Sequence, residues 1–140
     1  MSDTLKTIPI LFKAKHALES AIRENIKAQG LNSTEFGTLE ILYSKGKQCV
    51  GTIQKKVLIE ASSLSYVLKT LSQKGLITKT KDQKDTRRYM VELTKEGKTQ
   101  FAKIYENHHK AMRKILDTLT DEEEKTLQHL LKKLGTFEAQ

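Results

Sequence analysis

The chain has 140 residues, 37% of them apolar and 30% charged, with one cysteine and a formal net charge of +8. That length and apolar content can bury a core in one or two compact units, whereas the apolar runs are too short for a membrane-spanning helix. A single cysteine excludes an intrachain disulfide framework and a cysteine-rich zinc site. The N-terminal MSDTLKTIPILFKAKH lacks the basic start, longer apolar middle and cleavage site of a signal peptide, so a cytoplasmic location is expected.

Helical spacing of Ile8, Leu11, Phe12, Leu18, Ile22 and Ile26 predicts a first helix over 5–28, with Pro9 tolerated in its first turn and Gly30 breaking it. Asn32 and Glu35 form a capping-box pattern for a second helix, whose expected buried stripe is Phe36, Leu39, Leu42 and Tyr43, and Gly46 ends it. Residues 49–52 read as short and extended, with Thr52 capping a brief third helix that holds Ile53 and Val57. A fourth helix begins near Ser62. Its Leu64, Val67, Leu68 and Leu71 fall in one arc, while Ser62, Tyr66, Lys69 and Gln73 line the opposite side. After Gly75, strands over 76–81 and 89–93 flank the polar tip 82–88, with Tyr89, Val91 and Leu93 on one face.

Thr94 caps a long fifth helix with a stripe of Phe101, Ile104, Tyr105, His108, Met112, Ile115, Leu116 and Leu119. Thr120 and Glu123 form a second capping box, and the acidic run 121–124 suits the positive end of a helix dipole. The last helix carries Leu127, Leu130, Leu131, Leu134 and Phe137. The apolar stripes at both ends exceed what a small central module can cover, which points to a second copy of the chain as their partner.

The charge is not spread evenly. Residues 45–98 hold thirteen Lys/Arg against five Asp/Glu, whereas 1–44 and 99–140 are each balanced. A neutral scaffold around a basic middle points to a polyanion partner. The third and fourth helices, joined by the turn LIEAS, read as a helix-turn-helix whose second helix fits the major groove of double-stranded DNA. Ser62, Ser63 and Ser65 at its start offer hydroxyl and backbone donors to phosphates or bases. Tyr66, Lys69 and Gln73 continue that face; lysine can donate to guanine and glutamine can pair with adenine. The hairpin tip adds Lys81, Lys84, Asp85, Arg87 and Arg88. A basic side chain there can enter the minor groove, and Asp85 is expected to brace an arginine and shape the turn.

Asp85, Arg87, Val91, Leu93 and Thr94, with Gly97 shortly after, form a pattern that resembles the wing signature of the MarR-type family of winged-helix transcriptional regulators. KTLSQKGLITK (69–79) is similar to that family's passage from recognition helix to wing. The resemblance covers essentially the whole chain. It implies a mainly α fold with a small β-hairpin wing: a single domain over 1–140, with a winged helix-turn-helix at 32–97 and helical dimerisation arms at 1–30 and 98–140. It further implies that Arg87 is the wing-tip arginine with Asp85 as its brace, and that a homodimer binds a pseudo-palindromic operator as a repressor. Many relatives are released from DNA by small aromatic or phenolic compounds or by oxidants. KKVLIEASSLSYVLKTL (55–71) is also similar to a subgroup associated with quinones and other electrophiles. Thr86 stands where many members carry arginine, and Asp82-Gln83 replaces a more usual proline-containing stretch.

Other features carry less. Cys49 lacks a resolving partner and reads as a small half-buried residue. The adjacent His108 and His109 point to different sides of a helix and cannot share a metal, so neither a metal nor another cofactor is expected. His16, Tyr43 and Tyr105 are candidates to line an effector pocket. No Ser/His/Asp order, glycine-rich phosphate loop or close carboxylate pair supports an enzyme. A protein-binding adaptor would leave the clustered positive charge unexplained.

Overall fold

A computed structural model describes residues 5–57 and 61–137. Its elements are α1 (Thr7–Ala28), α2 (Ser33–Lys45), β1 (Gln48–Cys49), α3 (Val50–Val57), α4 (Ala61–Gln73), β2 (Ile77–Lys81), β3 (Tyr89–Leu93), α5 (Lys95–Leu116) and α6 (Asp121–Gly135). The chain divides between His108 and His109, within α5, into two compact units.

In the first unit, local chemistry sets the helix ends. Gly30 and Gly46 take φ of +87° and +77°, a left-handed backbone that side chains other than glycine rarely adopt. Both halves of the Asn32–Glu35 capping box are made: the Glu35 amide donates to Asn32 Oδ1 at 2.8 Å, and the Asn32 amide donates to Glu35 Oε1 at 2.9 Å. The core gathers Ile26, Leu31, Phe36, Leu39, Leu42, Ile53, Leu64, Leu68, Leu71, Leu76, Ile77, Val91, Leu93 and Phe101, all buried. Burial of such side chains contributes roughly 1.5–3 kcal/mol each before chain entropy is charged against it. Tyr43 departs from its expected buried place. It closes the stripe of α2 at the surface, 44% exposed, with its ring edge against Phe101 at 5.4 Å.

The sheet has three antiparallel strands in the order β1-β3-β2. The hairpin pairs Ile77 with Leu93 and Lys81 with Tyr89, so Val91 and Leu93 face the core. β1 is an addition to the expected hairpin: Gln48 pairs with Val91 and Cys49 with Met90. Two residues are too few to announce a strand by alternation. The third helix therefore starts at Val50, and Thr52 lies inside its first turn rather than capping it. The LIEAS turn falls largely on 58–60, outside the described residues.

Thr94 fixes the junction of wing and α5. Its amide donates to the Leu76 carbonyl at 3.0 Å, its hydroxyl donates to the Gly75 carbonyl at 2.6 Å and accepts from the Gly97 amide at 2.9 Å. One residue thus caps α5 and ties it to the end of α4.

In the second unit, the Thr120–Glu123 capping box starts α6 as expected. Arg113 pairs with Asp117 at 3.0 Å and with Glu124, closing the turn between the two helices. Leu119 lies in that turn, beyond α5, which ends at Leu116.

Candidate nucleic-acid interface

The fourth helix is divided by burial as its sequence requires. Leu64, Val67, Leu68 and Leu71 are at most 7% exposed and hold one face to the core. Ser62, Ser63, Ser65, Tyr66, Lys69 and Gln73 are all exposed on the rest, with Tyr66 at 72%. The Tyr66 ring is thus turned to solvent while the opposite face of the helix is packed. Outward hydroxyl, ammonium and amide groups along one helix are suited to phosphates and base edges.

The wing tip is built by its own side chains. The Lys84 amide donates to Asp82 Oδ1 at 3.0 Å, and the Arg87 amide donates to Asp85 Oδ1 at 3.1 Å, so two aspartates close successive turns of the loop. The Asp82 amide donates to the Arg88 carbonyl, and the Arg88 amide to the Asp85 carbonyl. Arg87 Nε also donates to Asp85 Oδ1 at 3.1 Å, while the Arg87 side chain remains 90% exposed. The Arg87 guanidinium and then its backbone amide hold the Asp85 carboxyl below the usual carboxylate range. The carboxylate grips the arginine at Nε and aims the remainder outward.

The two arginines differ. Arg88 turns back along the wing: its Nε lies 3.9 Å from Asp82 Oδ2, and its guanidinium reaches Cys49. Lys84 is exposed at the tip, and Lys79 sits over the Tyr89 ring, 4.7 Å from its centre.

Cys49 is more activated than its sequence context suggested. It directly precedes α3, and its Sγ lies 3.0 Å from Thr52 Oγ1. Hydrogen bonds from the Thr52 hydroxyl and amide, with a smaller part from Arg88, lower the thiol to about 7. Cys49, Lys79, Arg87, Arg88 and Tyr89 border a cavity of about 320 Å³.

A second cavity, of about 340 Å³, lies between α2 and α5 and is lined by Glu40, Ile41, Tyr43, Ser44 and Tyr105. It brings together Tyr43 and Tyr105, whose rings are 6.2 Å apart. His16 stands exposed on α1 and is not part of this lining. His108 packs against Phe36 and shares a 2.8 Å hydrogen bond with Asn25.

Sequence reasoning missed Glu35 as more than a cap. It is 7% exposed, and its Oε2 accepts from Lys74 Nζ at 3.3 Å. The capping pattern signalled its backbone role, and nothing local signalled the lysine.

A family model described as MarR family matches residues 31–89. The chain is 30% identical over 132 residues to the HTH-type transcriptional regulator MhqR of Bacillus subtilis, covering 94% of this chain and 91% of that protein. It is 28% identical to the homoprotocatechuate degradative operon repressor of Escherichia coli, over 94% of this chain and 87% of that one. Its fold matches that of a MarR variant from E. coli crystallised with operator DNA, with a TM-score of 0.76 at 20% identity over 92% of this chain and 95% of that chain. The chain belongs to the MarR family of winged-helix transcriptional regulators, which are not enzymes.

Proposed function

We propose that the protein acts as a homodimeric repressor that binds a pseudo-palindromic operator in double-stranded DNA and leaves it when a small aromatic, phenolic or quinone-like compound binds. The observation that carries the DNA reading is the coincidence of the whole positive surplus, in residues 45–98, with a helix that exposes Tyr66, Lys69 and Gln73 and a wing that exposes Arg87. In this reading α4 lies in the major groove, Ser62, Ser63 and Ser65 meet phosphates or bases, and Tyr66, Lys69 and Gln73 meet bases. Arg87 enters the minor groove, braced by Asp85, with Lys84 on the flanking backbone and Arg88 assisting from within the wing.

Dimerisation is supported by the apolar residues left exposed on the arms, Ile8 and Phe12 on α1 and Leu130 and Leu134 on α6. Two copies would present their recognition helices about one turn of DNA apart, roughly 34 Å. The effector reading is supported by the cavity between Tyr43 and Tyr105, whose rings suit an aromatic guest, and by the E. coli relative named for an operon that degrades homoprotocatechuate, itself an aromatic acid. A guest that favours another spacing of the two reading heads shifts the population away from the DNA-bound form.

The test is selection from a random-sequence duplex pool, followed by gel retardation. The recovered DNA should contain an inverted repeat with half-sites about 10 base pairs apart, bind less tightly as salt rises, and be released by members of a panel of phenolic acids, catechols and quinones. Failure to retard any duplex at low salt would refute the proposal.

A further inference from the structure

We propose that Glu35 and Lys74 form a positioning pair that sets the angle of α4 against α2, so that sequence-specific DNA binding depends on both residues although neither touches DNA. The proposal rests on the reading of α4 as the DNA-reading helix.

The two capping boxes of the chain provide an internal comparison. In α6, Glu123 performs the capping task from an exposed position, so a capping glutamate needs no burial. In α2, Glu35 makes the same backbone bonds yet is buried, and its second carboxylate oxygen is held by Lys74. Lys74 directly follows the last residue of α4 and lies 39 positions from Glu35. The cation at the C-terminal end of α4, where it also suits the helix dipole, is therefore anchored to the first turn of α2. Just after it, Thr94 holds the Gly75 and Leu76 carbonyls. The C-terminal end of α4 is clamped between the starts of α2 and α5.

Leverage makes that clamp matter. At 1.5 Å per residue α4 is roughly 18 Å long, so a tilt of about 5° about its C-terminal end moves its N-terminal serines by about 1.5 Å. A hydrogen bond does not survive such a displacement. Contacts to phosphates from flexible lysines do survive it, so the loss falls on sequence preference rather than on general affinity for DNA.

The experiment compares Lys74→Met, Lys74→Arg and Glu35→Gln with the wild-type protein. Binding to the duplex that the wild type selects from a random pool, and to a scrambled duplex of equal length, is measured over a range of salt. Glu35→Gln keeps a side chain able to complete the capping box while removing the charge that holds Lys74. Its sign is decisive: loss of an acidic charge by itself strengthens DNA binding, whereas loss of the positioning pair weakens it. Lys74→Met and Glu35→Gln should each reduce the ratio of selected to scrambled affinity about tenfold, with the salt slope unchanged, and Lys74→Arg should retain most of the ratio. Thermal melts of each variant separate this from unfolding. An equal fall in both affinities with a shallower salt slope for Lys74→Met would make Lys74 a phosphate contact and overturn the proposal. A selected-to-scrambled ratio that stays at its wild-type value in Glu35→Gln would overturn it as well. If the wild type itself selects no sequence, the reading of α4 falls, and this inference with it.

Discussion

Gly97 packs its α-carbon against the peptide of Leu76: a Cβ built there would overlap the Leu76 carbonyl oxygen and stand 2.9 Å from its carbonyl carbon. The obstacle is backbone that already accepts from the Thr94 amide and cannot rotate away. Alanine in a helix gains about 1 kcal/mol over glycine, whereas forcing a methyl group into fixed backbone costs about 3 kcal/mol or more. The clash wins. Gly97→Ala should lower the melting temperature by on the order of 5–10 °C, read by circular dichroism, and Gly51→Ala, with open space around its position, serves as the control without a clash. A melting temperature of Gly97→Ala at or above wild type would show that the approach of α5 to the Leu76 peptide is looser than described.

The wing offers a prediction whose sign separates geometry from charge. Asp85 is the only acid gripping Arg87 among the described residues, and the arginine side of the pair is open to water, so its removal should leave the melting temperature almost unchanged. Asp85→Ala deletes a negative charge, which by itself would favour DNA. It also deletes the acceptor for the Arg87 amide and guanidinium, which aims the finger. Geometry should prevail: affinity for the selected duplex falls about fivefold, since a preorganised contact forfeits on the order of 1 kcal/mol when it must be ordered on binding. Arg87→Ala should fall further and reduce the salt slope by about 1. Tighter binding by Asp85→Ala in fluorescence anisotropy would assign Asp85 no bracing role.

How much of this was legible in the sequence follows from the range of each interaction. The Asn32–Glu35 and Thr120–Glu123 boxes and the Thr94 cap involve residues three apart, and each formed as read. The division of α4 into a buried and an exposed face followed from its period alone. Long-range pairings were invisible. Lys74 shows no local preference for Glu35, and Arg88 looked equivalent to Arg87 until the pairing of Cys49 with Met90 brought β1 beside the wing. Tyr43 followed the stripe of α2 but lies where the core ends, a limit that periodicity does not contain.

The thiol of Cys49 gives a pH-dependent prediction. Hydrogen bonds from the Thr52 hydroxyl and then its amide favour the thiolate and lower its pKa to about 7 from an ordinary value near 9, with Arg88 contributing less. The thiolate is the reacting species, so the rate of alkylation by iodoacetamide should rise with pH around a midpoint near 7. Thr52→Val removes the largest contribution and should move the midpoint upward toward the ordinary value; Arg88→Ala should move it by a smaller amount in the same direction. Mass spectrometry of quenched samples reads the rates. A wild-type midpoint above 8 would mean that the Thr52 hydroxyl does not donate to the sulfur in solution.

On α6 four leucines, Leu127, Leu130, Leu131 and Leu134, are between 40% and 53% exposed, and Phe137, expected on this helix, lies just beyond its end at 72%. Three of them, 127, 130 and 134, recur at helical intervals of three and four, which makes a stripe along one side of the helix rather than scattered surface leucines. Exposed stripes of this kind mark association surfaces. The protein should therefore sediment as a dimer at micromolar concentration. Leu130→Glu combined with Leu134→Glu places two like charges within the stripe, at positions already open to water in the single chain, so helicity should be kept while the dimer is lost. If, as proposed, two reading heads bind one symmetric operator as a unit, separating them should remove the gain in effective concentration, on the order of a hundredfold in affinity. Sedimentation velocity and gel retardation on the selected duplex measure the two consequences independently. A double variant that still sediments as a dimer would remove α6 from the interface, and a monomeric variant that binds the duplex as tightly as wild type would remove symmetry from the mode of DNA recognition.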